Sequence, residues 1–325
     1  MYSLTKTLLL LSTLLITNAC SYIDFSNFKK EYNKLYSDNK IDENHFKTYC
    51  NNVEFIDNFN SQNNSYELGI NQFTDLNHKE FKSYNSNNLI NIKNKSHNHI
   101  ILEKPDSILE SFDWRDQGKV TNVKDQGQCG SCWAFSALGS LESTYAIHSP
   151  SHNLYNLSEQ ELVDCSTKDE GCDGGLMDDA FQYIMDNGIC SYKRYPYIAE
   201  DNKCSKANCS RVVNISRFVD VKPNSETQLL YALLINPISV AIDASDPSFQ
   251  SYKRGIYNGS CSTTLDHGVT LIGYGYDTVW DSKYWIIKNS WATTWGDNGY
   301  MYMLRDIEDT SGLCGIAMDA SYPIV

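Results

Sequence analysis

The chain has 325 residues, 41% hydrophobic and 21% charged, enough for one large domain or two modest ones. Its 18 Gly and 7 Pro exclude a collagen-like or low-complexity chain. The net charge of −13 is lopsided: residues 1–107 carry 11 Lys/Arg against 12 Asp/Glu, and residues 108–325 carry 16 against 28, so with no basic run nucleic acid is not expected as a partner.

The first element is a short apolar run, Leu8 to Ile16, which follows Lys6 and ends at Thr17-Asn18-Ala19. It is too short to span a bilayer and has the form of a secretory signal peptide, residues 1–19, cut after Ala19. The rival reading is a lipoprotein with its lipid on Cys20. No other run is long enough for a membrane helix, so no stable membrane insertion is expected. Next, Phe25, Phe28, Tyr32 and Leu35, and then Phe46, Tyr49, Val53 and Ile56, recur at helical spacing and predict two amphipathic helices. Gly69 to Asp75 predicts a turn with a short extended segment, and the Asn- and Ser-rich stretch from Tyr84 to Asn98 an exposed linker.

From Phe112 onward Trp, Gly and Cys become frequent. Helices are predicted over Ser131 to Ile147, from Ser158 with Glu161 completing a capping box, and over Leu176 to Asn187, closed by Gly188. Beyond about residue 210 strands are predicted at 238–242, 269–272, 284–287 and 300–303. Helices first and strands second imply an α+β class with a helical lobe and a β lobe, and sites often lie between such lobes.

Eleven cysteines in a secreted chain suggest disulfides. Cys20 lies at the signal boundary and Cys50 stands alone in the N-terminal third. The nine that remain are an odd number, so one pairs between chains or is a thiol kept for chemistry.

The sharpest segment is Gln126-Gly127-Gln128-Cys129-Gly130-Ser131-Cys132-Trp133, whose Cys-Gly-Ser-Cys-Trp core resembles the papain and cathepsin signature. Gly171-Cys172-Asp173-Gly174-Gly175, Asp266-His267-Gly268-Val269 and Lys288-Asn289-Ser290-Trp291 follow in the same order as in that family. The chain is therefore similar to a papain-family cysteine protease precursor of the cathepsin L-like branch. Cys129 and Cys132 are also spaced like a redox or zinc pair, but no second pair stands at metal spacing, and neither a metal nor a cofactor is expected.

The resemblance implies a two-lobed papain-like fold behind an N-terminal helical inhibitory propeptide: propeptide 20–107, peptidase 108–325, lobes dividing near residue 215. It implies Cys132 as nucleophile, His267 as its partner in a thiolate–imidazolium pair, Asn289 orienting the ring, Trp291 shielding it, and Gln126 in the oxyanion hole. Substrate-binding positions carried over are Gly174, Gly175, Leu176, Met177, Ala241, Leu265 and Asp266, with Asp319 at the floor of the S2 pocket. They imply Leu, Phe or Val at P2, with Arg accepted once Asp319 is ionised. The pairs Cys129–Cys172, Cys165–Cys204 and Cys261–Cys314 also follow from the resemblance; Cys190 and Cys209 are extra to it and are proposed as a fourth bridge.

In the propeptide, Tyr49, Asn52, Ile56 and Asn60 keep the family spacing, and Gly69, Asn71, Phe73 and Asp75 match its second motif, whereas Ile41 and His45 replace the usual Glu and Arg. Ala292 stands where the family usually has Gly; if that site needs positive φ, alanine costs about 1–2 kcal/mol. The expected partners are protein and peptide substrates, the chain's own propeptide and cystatin-type inhibitors, acting on a monomer in the lysosome or vacuole or outside the cell. Six Asn-x-Ser/Thr sequons permit glycosylation. The reading from a different class is a catalytically dead relative acting as a decoy, against which Cys132, His267 and Asn289 stand intact.

Overall fold

The computed structural model describes residues 20–85, 99–205 and 209–325. The expected signal peptide and most of the expected linker lie outside these residues.

The N-terminal unit starts with α1 (Tyr22–Glu31) and the long α2 (Asn39–Asn60). Ser21 caps α1 in a full capping box with Asp24, and Asp38 caps α2. Phe25, Phe28 and Tyr49 form a small core of their own between the two helices. Cys20 is bonded to Cys50, which ties the start of α1 to the middle of α2. This differs from the sequence reading, where Cys50 had no partner, and it removes the thiol on which a lipid would be carried. Next come β1 (Tyr66–Leu68) and the short α3 (His78–Lys82), capped by Asn77 with Glu80. The Asn60 amide bonds both backbone groups of Leu68, and Asn52 bonds the carbonyls of Thr74 and Leu76, so α2 carries the turn 71–76 on its side. The replacement His45 takes a place in this scheme, its Nδ1 donating to the Asp75 carbonyl at 2.8 Å.

After β2 (His99–Ile100) and β3 (Phe112–Asp113), α4 (Cys132–His148) runs through the centre of the molecule with nearly every residue buried. Its apolar composition fits a helix packed on all sides. Around it stand α5 (Glu159–Cys165), α6 (Met177–Asn187), and the pair β4 (Ile189–Cys190) and β5 (Arg211–Val213). Gly188 closes α6 at φ 67°, where a side chain would be strained. Ser158 does accept from the Glu161 amide, but the Glu161 carboxylate turns inward to the Cys190 amide, the Tyr183 hydroxyl and Arg211 instead of returning to the cap. The box is half formed because the buried Ser158 amide donates instead to the Cys190 carbonyl at 3.0 Å, while the Glu161 carboxylate is taken by its three other donors.

The second half supplies β6 (Arg217–Val221), α7 (Glu226–Leu233), β7 (Ile238–Ile242), α8 (Pro247–Gln250), β8 (Tyr252–Tyr257), β9 (His267–Asp277), β10 (Ser282–Lys288), β11 (Tyr300–Leu304) and β12 (Ala320–Ile324). The sheet order is β1-β8-β11-β10-β9-β7-β12-β6-β2, with β3 paired to β9. Two of the ten strands, β1 and β2, come from the N-terminal unit, one at each edge. One hydrophobic cluster lies behind the sheet and a second around α4 and α6. Bridges join Cys129–Cys172, Cys165–Cys204, Cys190–Cys209 and Cys261–Cys314.

Candidate active site

Cys132 is the first residue of α4 and the only cysteine outside a disulfide among the described residues. Its cap, Ser131, makes no side-chain bond to the helix, because the hydroxyl is joined to the Tyr197 hydroxyl at 2.6 Å. The amides of the first turn therefore keep their positive end, which favours a thiolate at this position.

His267 opens β9 opposite Ile242 of β7, and it is fully buried. Its Nε2 donates to Asn289 Oδ1 at 2.8 Å, which assigns the proton to Nε2 and leaves the lone pair on Nδ1. Nδ1 is buried and makes no hydrogen bond. The ring stacks on Trp291 with centroids 4.4 Å apart and planes 24° apart. Phe73 and Phe81 of the N-terminal unit press edge-on against the same indole. Burial holds the imidazole down at about 4, and the Asn289 bond pulls the other way. Desolvation of the buried ring thus works against its charged form.

Gln126 is fully buried. Its backbone N–H donates to the Ser290 carbonyl at 2.9 Å, and its Oε1 accepts from the Ser290 hydroxyl at 2.6 Å. Its Nε2 donates to the Cys129 carbonyl at 3.0 Å and to the Tyr84 carbonyl of the N-terminal unit at 2.8 Å. The neighbouring Asn85 donates to Asp266 at 3.2 Å, and its carbonyl lies 3.3 Å from where a Cβ on Gly130 would stand. The turn that follows α3 thus brings the Tyr84 carbonyl and the Asn85 amide into the site. Burial pushes the Asp266 carboxyl up to about 6, against the bond it accepts from the Ala244 amide.

The expected pocket residues converge in part. Met177, Ala241 and Leu265 are buried in one apolar cluster, with Leu176 packed against it. Gly174 has φ 133°, and a Cβ on Gly175 would meet the Trp133 ring at 2.6 Å. Asp319 is only 7% exposed, and its carbonyl accepts from the Ala241 amide at 3.0 Å, which places it beside the pocket and not in solvent. Ala292 has φ 57°, the strained conformation the sequence left open.

Two polar residues of the site were not singled out in the sequence. Tyr197 links Ser131 to the Gln126 carbonyl, which its hydroxyl reaches at 2.8 Å. Asp169, pushed up to about 7 by burial, accepts from the Leu176 amide at 2.8 Å and from the Ser166 hydroxyl, and so carries the glycine wall. Neither belongs to a local motif. Behind Asn289 lies a buried ionic group in which Lys124 pairs with Glu142 and Glu159, and Lys288 donates to Thr121 at 2.8 Å.

Residues 108–324 match the family model for the papain family cysteine protease, and residues 25–81 that for the cathepsin propeptide inhibitor domain. The senescence-specific cysteine protease SAG39 of Oryza sativa subsp. japonica is 44% identical over 90% of this chain and 87% of its own length. Ananain of Ananas comosus is 42% identical over 92% and 86%. The solved recombinant stem bromelain precursor superposes with a TM-score of 0.85 at 41% identity, covering 94% of this chain and 98% of that one. Digestive procathepsin L 3 of Tenebrio molitor gives 0.82 at 36% over 94% and 99%. The chain belongs to the papain family of cysteine proteases, in its cathepsin L-like precursor form.

Proposed function

We propose that this chain is the zymogen of a secretory-pathway cysteine endopeptidase, with leader 1–19, propeptide 20–107 and peptidase 108–325. The observation that carries the reading is the Gln126 Nε2–Tyr84 carbonyl bond beside the one non-disulfide cysteine, since an oxyanion-hole donor is already engaged by a peptide carbonyl. The propeptide holds the cleft as a non-productive substrate. When it leaves, water reaches His267 and the Cys132 proton moves to Nδ1, giving the thiolate–imidazolium pair. The thiolate attacks the scissile carbonyl carbon. Gln126 Nε2 and the Cys132 N–H hold the oxyanion, His267 protonates the departing amine as the C–N bond breaks, and a thioester remains. Water, deprotonated by His267, attacks the thioester; the acid leaves and the thiolate is restored.

The apolar cluster of Met177, Ala241 and Leu265 supports Leu, Phe or Val at P2, and the nearby Asp319 supports acceptance of Arg. Asp319→Ala should lower the Arg/Phe ratio at P2; an unchanged ratio removes that part of the proposal. No His-His pair of a carboxydipeptidase occluding loop occurs in the sequence, which favours internal cleavage. Acid activation followed by titration with an epoxysuccinyl inhibitor tests the whole. One adduct on Cys132, with activity on a Phe-Arg fluorogenic substrate lost in proportion, is the expected result. A folded, processed protein with neither adduct nor turnover would be a decoy.

A further inference from the structure

The propeptide touches the peptidase sheet twice, at opposite edges. At one edge β1 pairs antiparallel with β8, from Tyr66 opposite Gly255 to Leu68 opposite Tyr252. At the other, β2 pairs parallel with β6, His99 opposite Asp220 and Ile100 opposite Val221. Two residues further on, the Gln228 side chain in the first turn of α7 grips the main chain of Leu102 at both of its polar groups. Leu102 N–H donates to Gln228 Oε1 at 2.8 Å, and Gln228 Nε2 donates to the Leu102 carbonyl at 3.0 Å. The Leu102 side chain packs against the large hydrophobic cluster behind the sheet. An edge strand, a side-chain amide matched to the main chain of one residue and an apolar seat together form a strand-addition site.

We propose that the β6 edge and Gln228 are a second binding site for the propeptide, occupied by its own segment His99–Leu102, and that this site keeps the propeptide on the enzyme after the chain has been cut. The inference rests on the reading of residues 20–107 as a propeptide severed from residues 108–325. Residues 103, 104, 106 and 107 are exposed, while Leu102 on one side is clamped and Leu109 on the other is tied through its carbonyl to the Tyr274 hydroxyl at 3.0 Å. A cut between them releases no contact of β2. Because β1 and β2 hold opposite edges, loss of one leaves the other to return it at high effective concentration. The cut and the onset of activity are then separate events.

The test uses the full chain carrying Cys132→Ala, so that no peptidase activity enters the readout, with the recognition site of a sequence-specific protease replacing residues 104–107. After the nick, size-exclusion chromatography at pH 7 follows how fast the propeptide separates from the peptidase. Gln228→Ala on the enzyme side and Leu102→Asp on the propeptide side should each speed separation roughly tenfold, and the double variant should separate no faster than the quicker single one. A synthetic peptide of residues 99–107 in excess should speed separation of the parent but not of the Gln228→Ala protein. Either single variant suffices if the other fails to fold, which the melting curve of the un-nicked chain reports. Separation rates within twofold of the parent in the folded variants, with no effect of the peptide, overturn the proposal. Peptidase activity measured separately on activated Gln228→Ala, expected to be normal, shows whether the functional reading itself has failed.

Discussion

Gln126 uses all its side-chain polar atoms on main-chain or hydroxyl partners that converge on the cleft, and one of those partners is supplied by the propeptide. Gln126→Ala should therefore lower kcat of the activated enzyme by about 10²–10³-fold on a Phe-Arg substrate, the usual cost of one oxyanion donor. The propeptide should also bind less tightly, since Tyr84 loses its donor. Ala292 offers a test of strain without chemistry. Its φ of 57° is costly for alanine, so Ala292→Gly should stabilise the fold by about 1 kcal/mol and raise Tm by about 2–4 °C in a thermal melt. Cys132, His267, Asn289 and Gln126 could be proposed beforehand because each lies inside a short motif that resembles one of the papain family. Tyr197 could not, since its partner Ser131 is 66 residues away and a lone tyrosine in a loop carries no local signal.

Among the elements, the four strands predicted from sequence lie within β7, β9, β10 and β11. The run Ile238–Ile242 was legible because all five of its residues are buried. β1 and β2 were not, because three and two residues carry no periodicity and become strands only where a partner offers an edge. The same limit hid the Cys20–Cys50 bridge, which depends on the packing angle of α1 against α2. Its closed loop spans 30 residues, and Cys50→Ser should cost the two-helix unit about 2–4 kcal/mol. Hydrogen exchange should then show α1 opening before any part of the peptidase sheet, with earlier leakage of activity.

For the molecule as a whole, acid acts through two neighbours with opposite signs. His267 is held at about 4 against an ordinary 6.5, so the folded zymogen binds fewer protons than the unfolded chain between those values. Stability from this group is intact above 6.5 and is lost as pH falls toward 4, by up to about 3 kcal/mol. Asp266 is raised from 3.8 to about 6, so it binds an extra proton in the folded state and gains stability as pH falls through the same window. Asp243 pushes it up further, while Asn85 and Lys82 pull it down. The two largely offset one another in the parent. Asp266→Asn should leave the His267 loss exposed, so that urea midpoints of the Cys132→Ala zymogen fall steeply from pH 6 to pH 4. His267→Gln should reverse the slope. Parallel behaviour of both variants with the parent would mean that neither group governs acid opening.

The two-edged grip of the propeptide has a consequence for the chain before it ever meets a substrate. A sheet whose outer strands are already paired has no open row of amides and carbonyls for a second molecule to join. β8 and β6 are such outer strands once β1 and β2 are gone. While it is in place, the leading segment therefore also guards both edges against self-association. Its loss is safest late and in dilute surroundings, and the liberated enzyme should precipitate at lower concentration than its precursor.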